Sequence, residues 1–195
     1  YGCIYFLLYI LEALGDNLEG KTVLVSGAGN VSLYACEKLL ELGAKVVTLS
    51  DSQGFMHIPD GVTHEMLETI MEHRFCKHAR LHTMTELFPG LMTYHANKKP
   101  WHIKADVAVP CATENEISAD DAKKMIKNGV KIVAEGANMP TEPGAIALFR
   151  SADVIYAPGK AANAGGVAVS SLEMTQNSLG YSWPREEIDQ KLQII

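Results

Sequence analysis

Apolar and polar positions along the chain switch repeatedly between the 3.6-residue period of helices and the short unbroken apolar runs of buried strands. Cys3 to Leu14 is the longest apolar run, broken only by Glu12, and it predicts a buried helix that stops at Gly15. Lys21 to Ser26 predicts a first strand, because consecutive apolar, partly β-branched residues suit a strand covered on both faces. Gly27-Ala28-Gly29 then turns into a helix ending near Leu42, with Gly43 just past its end, and Lys45 to Ser50 is the second strand. From Asp51 to Pro100 the pattern loosens. Gly54 and Pro59-Asp60-Gly61 mark turns, Thr63 caps a helix running to about Arg74, and Thr83 with Glu86 spells a capping box for a further helical turn. Ala105 to Val109, Lys131 to Ala134 and Asp153 to Tyr156 read as three more strands, and between the first two Ser118-x-x-Asp121 opens a helix ending at Asn128-Gly129. A long helix from Gly165 or Gly166 to about Ser178 follows, and another begins at Pro184, where proline suits a first helical turn.

Five strands of parallel type alternating with helices predict an α/β fold: a Rossmann-like, doubly wound, mostly parallel sheet with flanking helices. No repeat, charge block or low-complexity linker divides the chain. Its 195 residues therefore read as one domain, residues 1–195, at the usual ~150 residues per domain. A ligand crevice is expected at the carboxyl ends of the strands.

Composition narrows the function classes. With 47% apolar, 21% charged and 7% aromatic residues, the chain is neither disordered, collagen-like nor disulfide-dense. Seventeen Lys and Arg against 23 Asp and Glu leave a net charge of −6, so there is no global basic field to attract nucleic acid or an anionic membrane. The Cys3 to Leu14 run is far short of the ~20 residues that span a bilayer, and no basic start or small-residue cleavage site precedes it. A start at Tyr1-Gly2 without Met, and an end within an amphipathic pattern, read as a fragment of something longer. The four cysteines lie 33, 40 and 35 residues apart, a spacing without a CxxC pair or a zinc pattern. Reduced structural thiols in an intracellular, cytoplasmic protein are expected, and no metal site.

The clearest chemical signal is Gly27-Ala28-Gly29-Asn30-Val31-Ser32 between a strand and a helix. Gly27 permits a tight turn, Gly29 lets a pyrophosphate approach the backbone, and the helix N-terminus offers N–H groups and a positive dipole end. Asp51 falls 22 residues after Gly29, where the dinucleotide fingerprint places an acid for the ribose 2′-OH. On physics alone Asp51 favours NAD, since a 2′-phosphate at ~4 Å from a carboxylate meets repulsion of about 1 to 4 kcal/mol. Ser52 is the counterweight, able to donate to a phosphate. A solvated turn aspartate is the plain alternative. Pro110 to Thr113 and Glu135 to Asn138 also follow strands, and their small residues would let a ribose and nicotinamide lie near the backbone. The small-residue loop from Pro158 to Ser170 leads into a helix N-terminus that favours a carboxylate. His73, Cys76, His78 and His82 among Arg74, Lys77 and Arg80 read first as a solvated basic face, with a contribution to a 2′-phosphate or a metal as lesser alternatives; His78 and His82 are expected on one helical face.

Tyr1-Gly2, Ser26 to Val31, Ser50-Asp51-Ser52, Pro110 to Thr113 with Asn115-Glu116, Ala134 to Thr141, and Ala157 to Ser170 running on to Leu172-Glu173-Met174 and Gln176-Asn177 together carry a family likeness. Over essentially the whole chain the sequence resembles the carboxy-terminal, coenzyme-binding domain of the hexameric glutamate dehydrogenases, particularly the NADP-linked kind. That resemblance implies reversible oxidative deamination of L-glutamate to 2-oxoglutarate and ammonium, with NADP as coenzyme and NAD as the alternative. It implies that Gly27, Gly29, Asn30 and Val31 cradle the pyrophosphate, that Asp51 and Ser52 meet the adenosine ribose or its 2′-phosphate, and that Ala112, Asn138 and Asn163 lie along the nicotinamide riboside. Val167 and Ser170 would touch the substrate, Ser170 through its distal carboxylate. Ser32 departs from the family's usual Ala and is expected to loosen helix packing; Pro184 replaces a usual Thr or Ser. The family's catalytic lysines and aspartate belong to an amino-terminal domain outside this chain, so no catalytic residue is expected here and Lys160 is not promoted to that role. A leucine-, valine- or phenylalanine-type dehydrogenase and a non-catalytic nucleotide sensor are the rivals, and the Ser170 hydroxyl speaks against an apolar substrate side chain.

Overall fold

A computed structural model describes all 195 residues. The strand-forming run found first lies at the centre of the sheet. β1 (Thr22–Val25) pairs in parallel with β2 (Lys45–Asp51) on one side and β5 (Val107–Val109) on the other. β6 (Ile132–Ala134) and β7 (Ile155–Ala157) extend the parallel sheet beyond β5. Beyond β2 lie β3 (Gly54–His57) and β4 (Thr93–Ala96), each paired antiparallel to the strand before it, giving the seven-stranded order β4-β3-β2-β1-β5-β6-β7. The five expected strands are present. The sheet is mostly parallel, as expected; the antiparallel pair was not foreseen, and Gly54, read as a turn marker, is the first residue of β3.

Successive residues of each strand feed two cores, as the strand period of two demands. Val23, Val25, Val107 and Val109 face α1 (Gly2–Ala13), α2 (Asn30–Glu41) and α3 (His64–Phe75), packing with Leu7, Leu33, Leu39 and Ile70. Leu24, Val47, Ala108 and Val133 face the other way, onto Trp101, Met125 of α5 (Ala119–Lys127) and Phe149 of α6 (Pro143–Ser151). Helices on both faces make the sheet doubly wound, as expected.

The helix ends test the local readings. Thr63 Oγ1 accepts from Met66 N at 3.2 Å, the expected cap of α3. Ser118 Oγ accepts from Asp121 N at 3.3 Å and donates to Asp121 Oδ2 at 2.8 Å, forming the expected capping box of α5. The Thr83 box does not form. A 3₁₀ turn over Leu81–Thr83 runs straight into α4 (Met84–Leu87), so the Thr83 hydroxyl donates backwards to Arg80 O at 2.7 Å. His78 has left-handed backbone at φ 51° outside α3, so it shares no helical face with His82. α6 was not anticipated from sequence, although Pro143 at its first position is well placed. α7 (Gly159–Ala162) is a single turn, α8 (Gly165–Leu179) has no buried residue, and Pro184 is the residue before α9 (Arg185–Ile194) rather than inside it. No helix is long and apolar enough to cross a membrane.

Candidate functional site

The carboxyl ends of β1, β2 and β5 open onto a cleft of about 830 Å³. Its floor is the glycine turn. Gly27 takes φ +85°, and its N–H donates to Ser50 Oγ at 2.8 Å, tying the β1 end to the β2 end. A Cβ on Gly27 would sit 3.0 Å from Cys111 O. Gly29 differs: a Cβ there meets no protein atom within 4 Å and would project into open cleft. Asn30 and Val31 begin α2, so their amides have no intrahelical acceptor and are available to an anion. The Ser32 hydroxyl accepts from Gly29 N at 2.9 Å and donates to Gly29 O at 3.0 Å. This corrects the expectation of loosened packing: Ser32 is fully buried and fastens the turn to the helix.

At the β2 end of the cleft, Asp51 is neither a solvated turn residue nor an unoccupied acceptor. Its Oδ1 accepts from Tyr94 OH at 2.8 Å and Gln53 N at 3.0 Å, while Oδ2 accepts from Leu81 N at 3.1 Å. Burial works against its ionisation, but these donors outweigh burial and hold the carboxyl below its ordinary range. Burial and the facing carboxylate push the Tyr94 hydroxyl up to about 12. Ser52 Oγ accepts from Arg80 Nη1 at 3.1 Å. Arg74 reaches the same wall, donating through Nε to Ala28 O at 3.1 Å, and Lys98 and Lys99 complete a cationic rim. The stretch read first as a solvated basic face thus sends two arginines into the cleft, while its histidines form no metal cluster.

The β5 and β6 loops are knit to the same floor. Gly136 N and Ala137 N both donate to Pro110 O, at 3.0 and 2.9 Å. Glu116 Oε1 accepts from Ser26 Oγ at 2.8 Å and from Ala112 N at 3.0 Å, and Ser26 Oγ accepts in turn from Cys111 N at 2.9 Å. Burial raises the Glu116 carboxyl despite these donors. Glu135 Oε2 accepts from Gly159 N at 2.7 Å, holding the α7 turn against β6. All four cysteines are free, three of them buried, and burial pushes the Cys3 thiol up to about 12.

The cleft brings together Gly27, Gly29, Asn30, Val31, Asp51, Ser52 and Ala112. Asn138, Asn163, Val167 and Ser170 lie beyond its walls. Asn138 is exposed, and Asn163 Nδ2 donates to Ala137 O at 2.9 Å. Val167 is 73% exposed, and Ser170 Oγ donates to Gly166 O at 3.1 Å on the open face of α8. Sequence reasoning missed Tyr94, Lys98, Lys99 and Glu116 as members of the site.

A family model described as Glutamate/Leucine/Phenylalanine/Valine dehydrogenase matches residues 1–195. The chain belongs to this dehydrogenase family. Among the family's curated members, it is 55% identical over its whole length to the NAD(P)-specific glutamate dehydrogenase of Xylanibacter ruminicola, of which it covers 44%. It is 51% identical to the NADP-specific glutamate dehydrogenase of Haemophilus influenzae, covering 43% of it, and 46% identical to an NAD-specific one of Bacteroides fragilis, covering 44%. Among solved structures, Plasmodium falciparum glutamate dehydrogenase superposes with a TM-score of 0.96 at 47% identity, over 99% of this chain and 41% of that one. The chain thus spans less than half the length of these dehydrogenases, which between them are named for both coenzymes.

Proposed function

We propose that residues 1–195 form the coenzyme-binding domain of an NADP-linked glutamate dehydrogenase, with the substrate and catalytic domain and a carboxy-terminal helical segment lying outside this chain. The observation that carries this reading is the single cleft in which a glycine turn and a helix N-terminus meet Ser52, Arg74, Arg80, Lys98 and Lys99. Its residues fit a phosphorylated dinucleotide. A Cβ on Gly29 would meet no protein atom within 4 Å, so the backbone there is open to a pyrophosphate, and Arg80 bonded to Ser52 suits a 2′-phosphate. When bound, the nicotinamide accepts the hydride removed from the amino acid.

In this reading the chain's residues bind and orient. Gly27, Gly29, Asn30 and Val31 take the pyrophosphate, Ser52 and Arg80 the 2′-phosphate, and Ala112, Asn138 and Asn163 the nicotinamide riboside. Asn163 donates its amide hydrogen to Ala137 O, which fixes the side chain and leaves its carbonyl oxygen for a carboxamide donor. Val167 and Ser170, exposed on α8, face substrate once the second domain closes over them. The parent enzyme would interconvert L-glutamate with 2-oxoglutarate and ammonium as a cytoplasmic homohexamer. The test is fluorescence titration of the purified chain with NADPH, paired with a glutamate oxidation assay. Binding without turnover is expected, and turnover by the chain alone would overturn this division of labour.

A further inference from the structure

We propose that Tyr94 is a specificity-determining residue that acts through Asp51, turning an acid of the ribose-binding type into a structural anchor and so opening the cleft to a 2′-phosphorylated coenzyme. The inference rests on the reading of the cleft as a dinucleotide site and assigns its coenzyme preference to a residue on β4. A carboxylate has about four lone-pair sites. In Asp51 three are taken by protein donors, from Tyr94 OH at 2.8 Å, Gln53 N at 3.0 Å and Leu81 N at 3.1 Å. The two amides are fixed by the local chain, one in the turn after β2 and the other at the start of a 3₁₀ turn. The tyrosine hydroxyl is the one donor among the three that a side chain supplies, and it comes from the sheet-edge strand β4, 43 residues away in sequence.

Engaged in this way, Asp51 keeps roughly one acceptor site, too few to grip a ribose diol with both oxygens. Its charge is also spread over three donors, which weakens the repulsion a neighbouring 2′-phosphate would meet. The adjacent Ser52 is bonded instead to Arg80, a cation that a phosphate can engage directly. Removing the Tyr94 hydroxyl reverses both effects. Oδ1 regains an acceptor site for a ribose 2′-OH, and the carboxylate becomes the stronger repeller of phosphate.

The test uses the full-length protein and its Tyr94→Phe variant, each titrated with NADPH and NADH by nicotinamide fluorescence. The phenyl ring keeps the half-buried packing of Tyr94 on the core, and a thermal melt checks that the variant is folded. The NADPH-to-NADH affinity ratio is expected to fall about tenfold, the low end of losing a hydrogen bond to a charged group. Because Tyr94 acts through Asp51, the same substitution in an Asp51→Asn background is expected to change the ratio less than about twofold. An unchanged ratio in Tyr94→Phe, or an equal change with and without the aspartate, overturns the inference while leaving the dinucleotide site in place. Failure of the unmodified protein to bind either coenzyme overturns the site reading and this inference with it.

Discussion

Two glycines two residues apart in the same turn should respond to alanine in opposite ways. Gly27 takes φ +85°, where an L-residue is strained by roughly 1 to 2 kcal/mol, and its added Cβ would lie 3.0 Å from the backbone oxygen of Cys111. That oxygen belongs to the strand-end loop and cannot swing away, so overpacking adds about 1 kcal/mol or more. Gly27→Ala should therefore lose about 3 kcal/mol, which for a chain of this size lowers Tm by about 6 to 12 °C. Gly29 has φ −107° and no protein atom within 4 Å of a Cβ. Alanine there gains about 0.4 to 1 kcal/mol from the unfolded state and loses a similar amount at a helix N-cap, so Tm should stay within about 2 °C. Its methyl enters the space assigned to a pyrophosphate, however, and an overpacking penalty of about 1 to 3 kcal/mol lowers NADPH affinity by about fivefold to a hundredfold. Differential scanning fluorimetry and fluorescence titration on the same preparations separate the two effects. If Gly29→Ala binds NADPH as tightly as the unmodified chain, no ligand approaches that backbone and the pyrophosphate assignment fails.

Ser170→Val in the full-length enzyme should lower kcat/KM for glutamate by roughly one to two powers of ten, the loss of a hydrogen bond to a charged group, with a smaller penalty for norvaline and unchanged coenzyme affinity. Equal slowing of both substrates would make Ser170 a packing residue. For pH dependence, Asp121 is buried, which opposes ionisation, but the Ser118 bonds and the lysines nearby hold its carboxyl below the ordinary 3.8. A lowered folded-state value gives stability that is present above 3.8 and lost as pH falls below it. Asp121→Asn should thus cost about 1 kcal/mol in urea unfolding at pH 7 and progressively less as pH falls below 3.8, and a pH-independent difference would refute the assignment.

What could be read from the residues follows from where the information lies. β1 and the strands beside it are buried on both faces, so their residues are mostly apolar and stand out. β3 and β4 are four-residue strands at the sheet edge. β4 presents Thr93-Tyr94-His95-Ala96, exposed or half-buried throughout, and no apolar run marks it. α6 was hidden by Pro143-Gly144, a pair that reads as a loop until its first-turn position is known. The Thr83 and Ser118 boxes have equivalent patterns, yet only Ser118 precedes a helix with extended backbone. Thr83 is already helical at φ −66°, which leaves its side chain without the forward amide it needs.

The two ends of the cleft differ in the same respect. The end proposed for the pyrophosphate is made of backbone: a turn, a helix start and the absence of side chains, all within six consecutive residues from Gly27 to Ser32. Glycines report such a site directly. The end proposed for the adenosine is made of side chains drawn from the end of β2 and the turn after it, the end of α3, the start of the 3₁₀ turn and β4, and no spacing rule joins Asp51 to Arg80 or Tyr94. The consequence is mechanical. On the proposed reading, substitutions at Tyr94 or Arg80 would alter which coenzyme the cleft receives without touching the glycine turn, because Tyr94 bonds to Asp51 and Arg80 to Ser52 rather than to the turn. On that reading, coenzyme preference is free to change within one fold. Relatives of this chain named NADP-specific at 51% identity and NAD-specific at 46% are what such a division of the site predicts.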